Sequence, residues 1–424
     1  MKFEENINQK EYEKFVSTHP TKSHFMQSYT WGQISKQKNM TPHYVGLKEN
    51  NKLVATALLL EKKLIGKLTY LYCPRGFVCD YQNEKVLKEF TKHLKEFAKK
   101  HHAIYIKIDP DIKLQERNIE GEIEKDKPNN FKLVKTLETL GYKHLGFNQN
   151  FEHNEPRFTF RLDLMQSEED LINNMHLSTK KIIKKGNPYN LEIYKGKKED
   201  IKDFYHTMLE TEKRQNTTFY PINYYETFYT EFNKKNQSDL YIVKVNIEKL
   251  KQEYQEKINK IEKEQQKLID TKLTKHENKI KDLENQKQKL LKELKEINEI
   301  KEKELILSSI ITVKYNDKVW TIHGGNDNRL RYLNANYLIY NTIIMDAKKE
   351  GYKIIDFFGT TGNPDPNNPI YGIHLFKKRL GGEYIEFIGE FDMITNKPFY
   401  YTYNTLIPIY RKIKKLKRKT IKNK

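Results

Sequence analysis

The stretch "HYVGLKENNKLVATALLL", residues 43–60, decides the fold class, because its order of strand, polar turn and strand returns later in the chain. Residues 309–325, "SIITVKYNDKVWTIHGG", have the same order. Each hairpin is followed by a helical segment with Ala-Lys-Lys near its end, and then by an apolar strand that ends in an aspartate, Asp109 or Asp356. A strand-strand-helix-strand order that occurs twice predicts an α/β (α+β) protein with two similar domains. The hairpin before each helix favours an acyltransferase-like sheet over a Rossmann domain.

A long charged segment precedes the second copy of this hairpin. Residues 246–304 contain no Gly or Pro, and their apolar residues follow a heptad spacing. Strand-like runs flank the segment at residues 239–245 and 304–315. One straight helix of about 55 residues would hold these strands ~80 Å apart, whereas two antiparallel helices return the chain to its starting point. The sequence therefore predicts an antiparallel coiled-coil hairpin between neighbouring strands of one sheet.

These features divide the chain into two domains and an insertion. The first domain is expected at residues 1–149, and residues 384–424 are expected to pack back on it. The second domain is expected at residues 150–245 and 305–383, with the coiled-coil hairpin at residues 246–304 inserted in it. A chain of 424 residues is long enough for such a division.

Charge and apolar content indicate partners and location. The formal net charge is +20, which favours polyanionic partners such as nucleic acid, lipid headgroups or phosphorylated substrates. Two cysteines, Cys73 and Cys79, are too few for a disulfide framework or a zinc site and suit a reducing compartment. The longest apolar run, residues 53–60, is far shorter than the ~20 residues of a membrane span. We expect a cytoplasmic protein that contacts the cytoplasmic face of the plasma membrane at most peripherally.

Five motifs then occur in order along the chain: "FMQSYTWG" (25–32), "PRGFVCDY" (74–81), "TIHGGND" (321–327), "IIDFFGTTG" (354–362) and "GIHLFKKRLGGEYIEFIGEFD" (372–392). Together they resemble the Fem family of peptidoglycan-bridge aminoacyltransferases, and the resemblance covers nearly the whole chain. It implies two acetyltransferase-like domains, and several family members carry a helical hairpin in the second one.

The resemblance implies a reaction. An aminoacyl group leaves the 3′ end of a tRNA and forms a peptide bond with an amine on the stem peptide of lipid II or of UDP-MurNAc-pentapeptide. No ATP, metal or other cofactor is expected, because the aminoacyl ester is already activated. The sequence agrees, since it has neither a phosphate-binding Gly-rich lysine loop nor a His/Cys metal spacing.

Two residues are predicted to carry the chemistry. The family's Phe-Lys pair matches Phe376 and Lys377. Lys377 would stabilise the oxyanion or the ribose leaving group, and Phe376 would shape the pocket. Asp109, at the end of its strand, would accept a proton from the attacking ammonium. The structural alternatives are a solvated basic turn for Lys377 and a helix N-cap for Asp109.

Three residues are predicted to bind the acceptor. By resemblance, Lys36 and Arg214 contact the pyrophosphate of the precursor, for which Arg offers a planar, bidentate donor pair. His323 stands where the family often has an aromatic residue near the stem peptide. The family pattern often continues after the arginine with Asp-Gly-Phe, whereas this chain has Gln-Asn-Thr at residues 215–217, so the acceptor pocket differs in detail.

The tRNA would contact clustered cations, which neutralise phosphates without reading sequence. The cations predicted to face it are Lys180, Lys181, Lys184 and Lys185 on one helix face, with Gly186 as C-cap, and Lys378 and Arg379 beside the Phe-Lys pair. The basic tail, residues 411–424, would bind tRNA or the anionic membrane surface.

Two other function classes stay open from the residues alone. A non-catalytic RNA-binding module would use the hairpin and the basic surface without any transfer chemistry. An acyl-CoA-dependent GNAT enzyme would need a pyrophosphate loop of the Q/R-x-x-G-x-G/A kind, and the sequence has no clear example of it.

Overall fold

The computed structural model describes residues 1–152, 154–270 and 276–406. The helices are α1 Gln9–Thr18, α2 Tyr29–Ser35, α3 Glu84–Lys100, α4 Phe131–Thr139, α5 Glu168–Asn173, α6 Leu177–Lys185, α7 Ile201–Gln215, α8 Ile222–Asn233, α9 Ile247–Asp270, α10 Glu277–Asn298, α11 Ala335–Lys349 and α12 Tyr371–Arg379. The strands are β1 Lys2–Glu4, β2 Met40–Glu49, β3 Lys52–Lys63, β4 Thr69–Cys73, β5 Val78–Cys79, β6 Ala103–Ile108, β7 Lys113–Gln115, β8 Tyr142–His144, β9 Phe158–Asp163, β10 Glu192–Gly196, β11 Ser238–Asn246, β12 Glu304–Tyr315, β13 Lys318–Asn326, β14 Ile354–Asp356, β15 Glu383–Phe387 and β16 Phe391–Ile394.

The chain forms two compact units. The first contains residues 1–162, 314–318 and 356–424, and the second contains residues 163–313 and 319–355. Among the described residues, no helix combines the length and the apolar composition that crossing a bilayer requires.

The first unit is built on the predicted β2–β3 hairpin. Asn50 and Asn51 sit in its turn with φ of 49° and 60°, the conformation that a two-residue type I′ turn requires and that Asn tolerates. The main sheet has the order β1-β2-β3-β4-β6-β16-β8, with β5 beside β3. Its pairs are antiparallel except for β4 and β6. The sequence pattern did not reveal β4, which separates the hairpin from α3.

Helix α3 covers this sheet because its sequence is amphipathic. Asn83 caps its first turn by accepting a hydrogen bond from the Val86 amide at 3.2 Å. Phe90, Leu94 and Phe97 are buried in the core that the helix forms with the strands. Strand β6 follows at once, and Asp109 is the residue directly after its end.

Most of the second hairpin, β12–β13, belongs to the second unit, whereas its turn at residues 314–318 groups with the first. The hairpin lies in the strand order β10-β11-β12-β13-β14. At its turn Asn316 has a φ of 54°. Strands β11 and β12 pair antiparallel and start from Asn246 opposite Glu304, so the insertion leaves and re-enters the sheet at neighbouring strands, as predicted.

Helices α9 and α10 form that insertion and run antiparallel. The hydroxyl of Tyr254, near its base, donates to the Glu293 carboxylate at 2.9 Å. Further out, the Gln265 side chain donates to the Glu284 carboxylate at 3.0 Å. Later residues of α9 thus meet earlier residues of α10. Residues 271–275, between the two helices, lie outside the described residues.

The observed division differs from the predicted boundaries in three segments. Residues 314–318, expected in the second domain, group with the first unit, where the Tyr315 hydroxyl donates to Glu13 at 2.9 Å. Residues 150–162 and 356–383, also expected in the second domain, group with the first unit as well. The reason is that β15 pairs antiparallel with β9 and with β7, so these segments share hydrogen bonds with residues of the first unit. A repeat read along the chain could not reveal that exchange.

Candidate active site

Lys377 lies in the last turn of α12, not in the solvated turn considered as its alternative. Three consecutive cations there complement the partial negative charge of the helix C-terminus. The Lys377 side chain is nevertheless buried, and its Nζ donates to the carbonyl oxygens of Phe358 at 2.9 Å and Gly359 at 2.6 Å. Burial lowers the pKa of Lys377 to about 7, against the opposing charge of Asp356. The amine is therefore balanced between its charged and neutral forms near neutral pH.

The turn after α12 depends on its glycine pair. Gly381 and Gly382 have φ of 87° and 94°. A Cβ on Gly382 would lie 2.5 Å from the carbonyl oxygen of Arg161. Only glycine therefore allows the chain to pass β9 so closely and enter β15.

Asp356 anchors the loop that accepts the hydrogen bonds of Lys377. Its Oδ1 accepts from the Phe358 amide at 2.7 Å and from the Thr159 hydroxyl at 2.6 Å. Phe358 is held at a φ of 58°, a left-handed conformation that is costly for a bulky residue. The carboxylate thus fixes both the strained loop and the position of its carbonyl groups.

A half-buried arginine joins the loop to the end of the first repeat. Arg161 donates from Nε to Asp356 at 2.8 Å and from Nη2 to Asp111 at 2.6 Å. Although burial favours the neutral acid, Arg161 holds the pKa of Asp111 well below its usual range. Sequence reasoning missed both residues. The only signals were a second acid in "DPD" and one cation inside the apolar strand β9.

Asp109 is buried and accepts hydrogen bonds from uncharged donors. The Tyr72 hydroxyl donates at 2.7 Å and the Arg75 amide at 2.6 Å. The short strand β7 follows it, so it is not the N-cap of a helix. Burial, together with the charges of Glu390 and Glu155, raises the pKa of Asp109 to about 8, against the opposing charge of Arg75. Such a carboxyl group is a competent proton acceptor near neutral pH.

A narrow cavity of about 10 Å³, roughly the room for one water molecule, lies beside Asp109. It is lined by Arg75, Asp109, Asn148, Glu155, Pro156, Arg157, Phe387, Gly389 and Glu390. Burial also raises the pKa of Glu155 to about 7. Two acids that titrate near neutrality thus share one cavity with two arginines. The sequence singled out only Asp109, because the other lining residues come from four segments without a common pattern.

Lys377 and Asp109 are linked by a short series of contacts within the first unit. A Cβ on Gly359 would lie 2.2 Å from Cγ of Pro156, so the loop at Gly359 packs directly on that proline. The carbonyl of Pro156 accepts from Nη2 of Arg75 at 2.8 Å, and the Arg75 amide donates to Asp109. The two residues predicted to carry the chemistry therefore belong to one packed network.

The other predicted residues of the first unit differ in their exposure. Lys36 is exposed where α2 ends. Phe376 is half-buried on α12. Lys378 forms an ion pair with Glu120, which competes with the predicted phosphate contact. Arg379 is half-buried, and among the described residues its Nε has no hydrogen-bond partner.

In the second unit, Arg214 and His323 lie on or beside the "TIHGGND" motif. Arg214, exposed in the last turn of α7, donates to the carbonyl and side-chain oxygens of Asn326 at 3.0 and 3.1 Å. His323 on β13 packs its ring against Phe228 and Tyr225 of α8, with centroid distances of 4.9 and 5.1 Å. His323 thus has an aromatic packing role whether or not it meets a substrate.

The predicted lysine helix is α6, and it ends at Gly186 with a φ of 70°. Lys181, Lys184 and Lys185 are exposed, whereas Lys180 is half-buried. The basic tail, residues 411–424, lies outside the described residues.

Comparison with known proteins covers nearly the whole chain. The model of the FemAB family matches residues 7–407. The lipid II:glycine glycyltransferase of Staphylococcus aureus is 30% identical over 433 residues, covering 98% of this chain and 99% of that protein. The enzyme of the same name from Staphylococcus epidermidis is 27% identical over 426 residues, 98% of each chain. The crystal structure of FemX is 25% identical, with a TM-score of 0.74, and the match covers 95% of this chain and 99% of that one.

Proposed function

The chain belongs to the FemAB family, and we propose that it is an aminoacyltransferase that adds an amino acid to the stem peptide of lipid II, building the interpeptide bridge of peptidoglycan. The observation that carries this proposal is the full-length likeness to lipid II:glycine glycyltransferases. It is supported by Lys377 and Asp109, two titratable groups that belong to one packed network. The likeness to FemX supports the predicted fold class of two α/β units.

The acceptor amine attacks the aminoacyl ester of a charged tRNA. A bond forms between the amine nitrogen and the carbonyl carbon, and the ester bond to the ribose oxygen breaks. Asp109 receives the proton that the amine loses, which requires its ionised form. The raised pKa of Asp109 makes this transfer favourable close to neutral pH.

Lys377 stabilises the charge that develops on oxygen. A charged ammonium has three N–H donors, and two of them are directed to the carbonyl groups of Phe358 and Gly359. The third is available for the oxyanion or for the departing ribose oxygen. Because its pKa is about 7, Lys377 can also give that oxygen a proton.

Substrate contacts follow from the exposed cations. Lys36 and Arg214 each present a cation at the surface, as phosphate recognition of lipid II or its UDP-linked precursor requires. Lys181, Lys184 and Lys185 provide a separate basic surface for tRNA phosphates. Lys180 and Arg379 are less accessible to tRNA. Lys378 would have to break its ion pair with Glu120 before it could contact a phosphate.

Contact with the cytoplasmic face of the membrane is supported by the region that leads into the basic tail. Residues 397–406 are helical, and Phe399, Tyr401 and Leu406 are 49%, 54% and 56% exposed. Aromatic and aliphatic side chains next to cations are typical of surfaces that bind anionic lipid. Such contact would bring the enzyme to lipid II without a membrane span.

Incubation of the purified chain with lipid II and a set of aminoacyl-tRNAs tests the proposal. We expect lipid II to gain the mass of one aminoacyl residue with at least one charged tRNA. Acetyl-CoA in place of tRNA is the matched control and should give no product. Transfer from acetyl-CoA would support the GNAT alternative, and binding of tRNA without any transfer would support the RNA-binding alternative.

A further inference from the structure

Two histidines and a glutamate form a cluster in the first unit that the proposed reaction does not use. Nε2 of His43 and Nδ1 of His101 lie 2.8 and 2.9 Å from the same oxygen, Oε2 of Glu61. The three ligand atoms all lie within 4.8 Å of one another. The cluster therefore has the size of a coordination sphere.

The fold brings the three residues together from separate elements. Glu61 on β3 pairs with Thr41 on β2, so His43, two residues further along β2, shares its face of the sheet. His101 is the C-cap residue of α3, the helix that covers this sheet. The imidazole rings of His43 and His101 meet edge to face with centroids 4.6 Å apart.

Packing fixes the orientation of the rings. Phe97 of α3 stacks on His101 at a centroid distance of 4.2 Å and meets His43 edge-on at 5.4 Å. One apolar side chain thus orients both imidazoles, with their nitrogens towards Glu61. Packing of this kind holds the ligand side chains in a fixed geometry, as a metal site needs.

We propose that His43, Glu61 and His101 form a binding site for a divalent transition metal ion of the zinc class. Two imidazole nitrogens and one carboxylate oxygen are a ligand set that Zn²⁺ accepts, and a water molecule completes the tetrahedron. In a tetrahedron with bonds of about 2.0–2.2 Å the ligand atoms lie roughly 3.5 Å apart, so each nitrogen would move about half an ångström or slightly more away from the Glu61 oxygen.

Exposure and electrostatics support the site. The side chains of His43, Glu61 and His101 are 17%, 13% and 24% exposed, which leaves a route for the ion and space for its water ligand. The position also suits a cation, because the C-terminus of α3 carries partial negative charge. The ion would tie β2 and β3 to the end of α3, so it stabilises the first unit and takes no part in aminoacyl transfer.

The sequence did not reveal this site. Its three residues come from two strands and a helix end, without the short spacing that marks zinc motifs. The expectation of no metal followed from the absence of such a motif, which says nothing about ligands that only the fold brings together.

Zinc titration of the purified, untagged full-length chain, after treatment with a chelator, tests the proposal. We expect one Zn²⁺ per chain, bound at micromolar or lower concentration, and a rise of several degrees in the thermal midpoint when the ion is at about 100 times its Kd. Co²⁺ should give visible absorption bands of tetrahedral coordination by nitrogen and oxygen ligands.

Variants locate the ion. Glu61→Gln keeps the shape of the side chain, and His101→Gln removes one nitrogen ligand; each should weaken Zn²⁺ binding at least about tenfold. His93→Gln is the matched control, since His93 pairs with Glu96 on the same helix at 3.3 Å and should leave binding unchanged. If His101→Gln does not fold, Zn²⁺ binding by Glu61→Gln alone tests the proposal. No binding below about 100 µM, or equal binding in wild type and Glu61→Gln, would overturn the proposal.

Discussion

Asp109 and Asp356 occupy equivalent positions at the ends of the repeated strands, yet their surroundings give them different properties. Asp109 accepts from a tyrosine hydroxyl and a backbone amide, and its pKa is raised to about 8. Asp356 accepts from the guanidinium of Arg161, from a hydroxyl and from a backbone amide. Asp109 thus accepts only from uncharged donors, whereas Asp356 is paired with the guanidinium of Arg161.

The two strand ends thus share an acid but not its hydrogen-bond donors. Both carboxyl groups are buried to a similar extent, at 3% exposure each, so the donors set them apart. Asp109 is suited to accept a proton. Asp356 is suited to fix the loop on which Lys377 depends.

Replacing Asp356 by asparagine should give the largest effect on stability. Arg161 would lose one of its two carboxylate partners inside the protein, which costs about 3 kcal/mol of unfolding free energy. Urea denaturation measures this loss. An unfolding free energy equal to that of the wild type would contradict the anchoring role.

Replacing Asp109 by asparagine should lower turnover by about 100-fold, because the proton acceptor is removed while the side-chain shape is kept. The pH profile sharpens the test. Wild-type turnover should be highest between about pH 7 and pH 8, with a rising limb from the ionisation of Asp109 and a falling limb from the loss of the Lys377 proton. The rising limb should be absent from the variant. If Asp109→Asn keeps both full turnover and the same pH limb, another group accepts the proton.

The same substitution should have the opposite effect on stability from Asp356→Asn. The folded state holds the proton of Asp109 up to about pH 8, whereas an unfolded aspartate loses it near pH 4. Between these values, rising pH therefore destabilises the folded wild type. Asparagine does not titrate, so the variant lacks this loss of stability. We expect Asp109→Asn to be more stable than wild type by the order of 1–3 kcal/mol at pH 8, with the difference shrinking towards pH 5. Urea denaturation of the variant and the wild type at pH 5 and pH 8 measures this difference. A variant less stable than the wild type at pH 8 would contradict the raised pKa of Asp109.

The smallest effect is expected at the basic helix of the second unit. Reversing Lys184 and Lys185 to glutamate should weaken binding of every tRNA by a similar factor. It should also reduce the salt dependence of binding by roughly 0.7–0.9 log units for each phosphate that is no longer neutralised. Lys99 and Lys100, exposed in the last turn of α3, provide the control pair for the same charge reversal. Equal weakening by both pairs would show a general charge effect and no specific surface.

Local patterns in the sequence predicted the regular parts of the fold. The alternation around "ENNK" predicted the β2–β3 hairpin, and the flanking strands placed the helical insertion correctly. The nine-residue helix α12 was missed because its sequence combines a glycine, aromatics and three adjacent cations, without a clear apolar stripe.

Two residues of the candidate site could be predicted in the same way. Asp109 follows an apolar strand and Lys377 belongs to a recognisable motif, so both were named from sequence. Arg75, Glu155 and Arg161 gain their importance from contacts with distant residues, such as the bond from Arg75 to the carbonyl of Pro156. No local spacing contains that information.

The single-turnover rate of aminoacyl transfer to lipid II by Lys377→Ala tests the central claim most directly. Wild type and variant would be compared with the charged tRNA that the wild type uses, and Lys377→Met would preserve more of the packing of the side chain. We predict that both variants lose at least about 100-fold in rate, the effect of removing an oxyanion donor, while they still bind lipid II and remain folded at the assay temperature. Transfer at the wild-type rate, or a loss that is fully explained by unfolding, would contradict the assignment of Lys377.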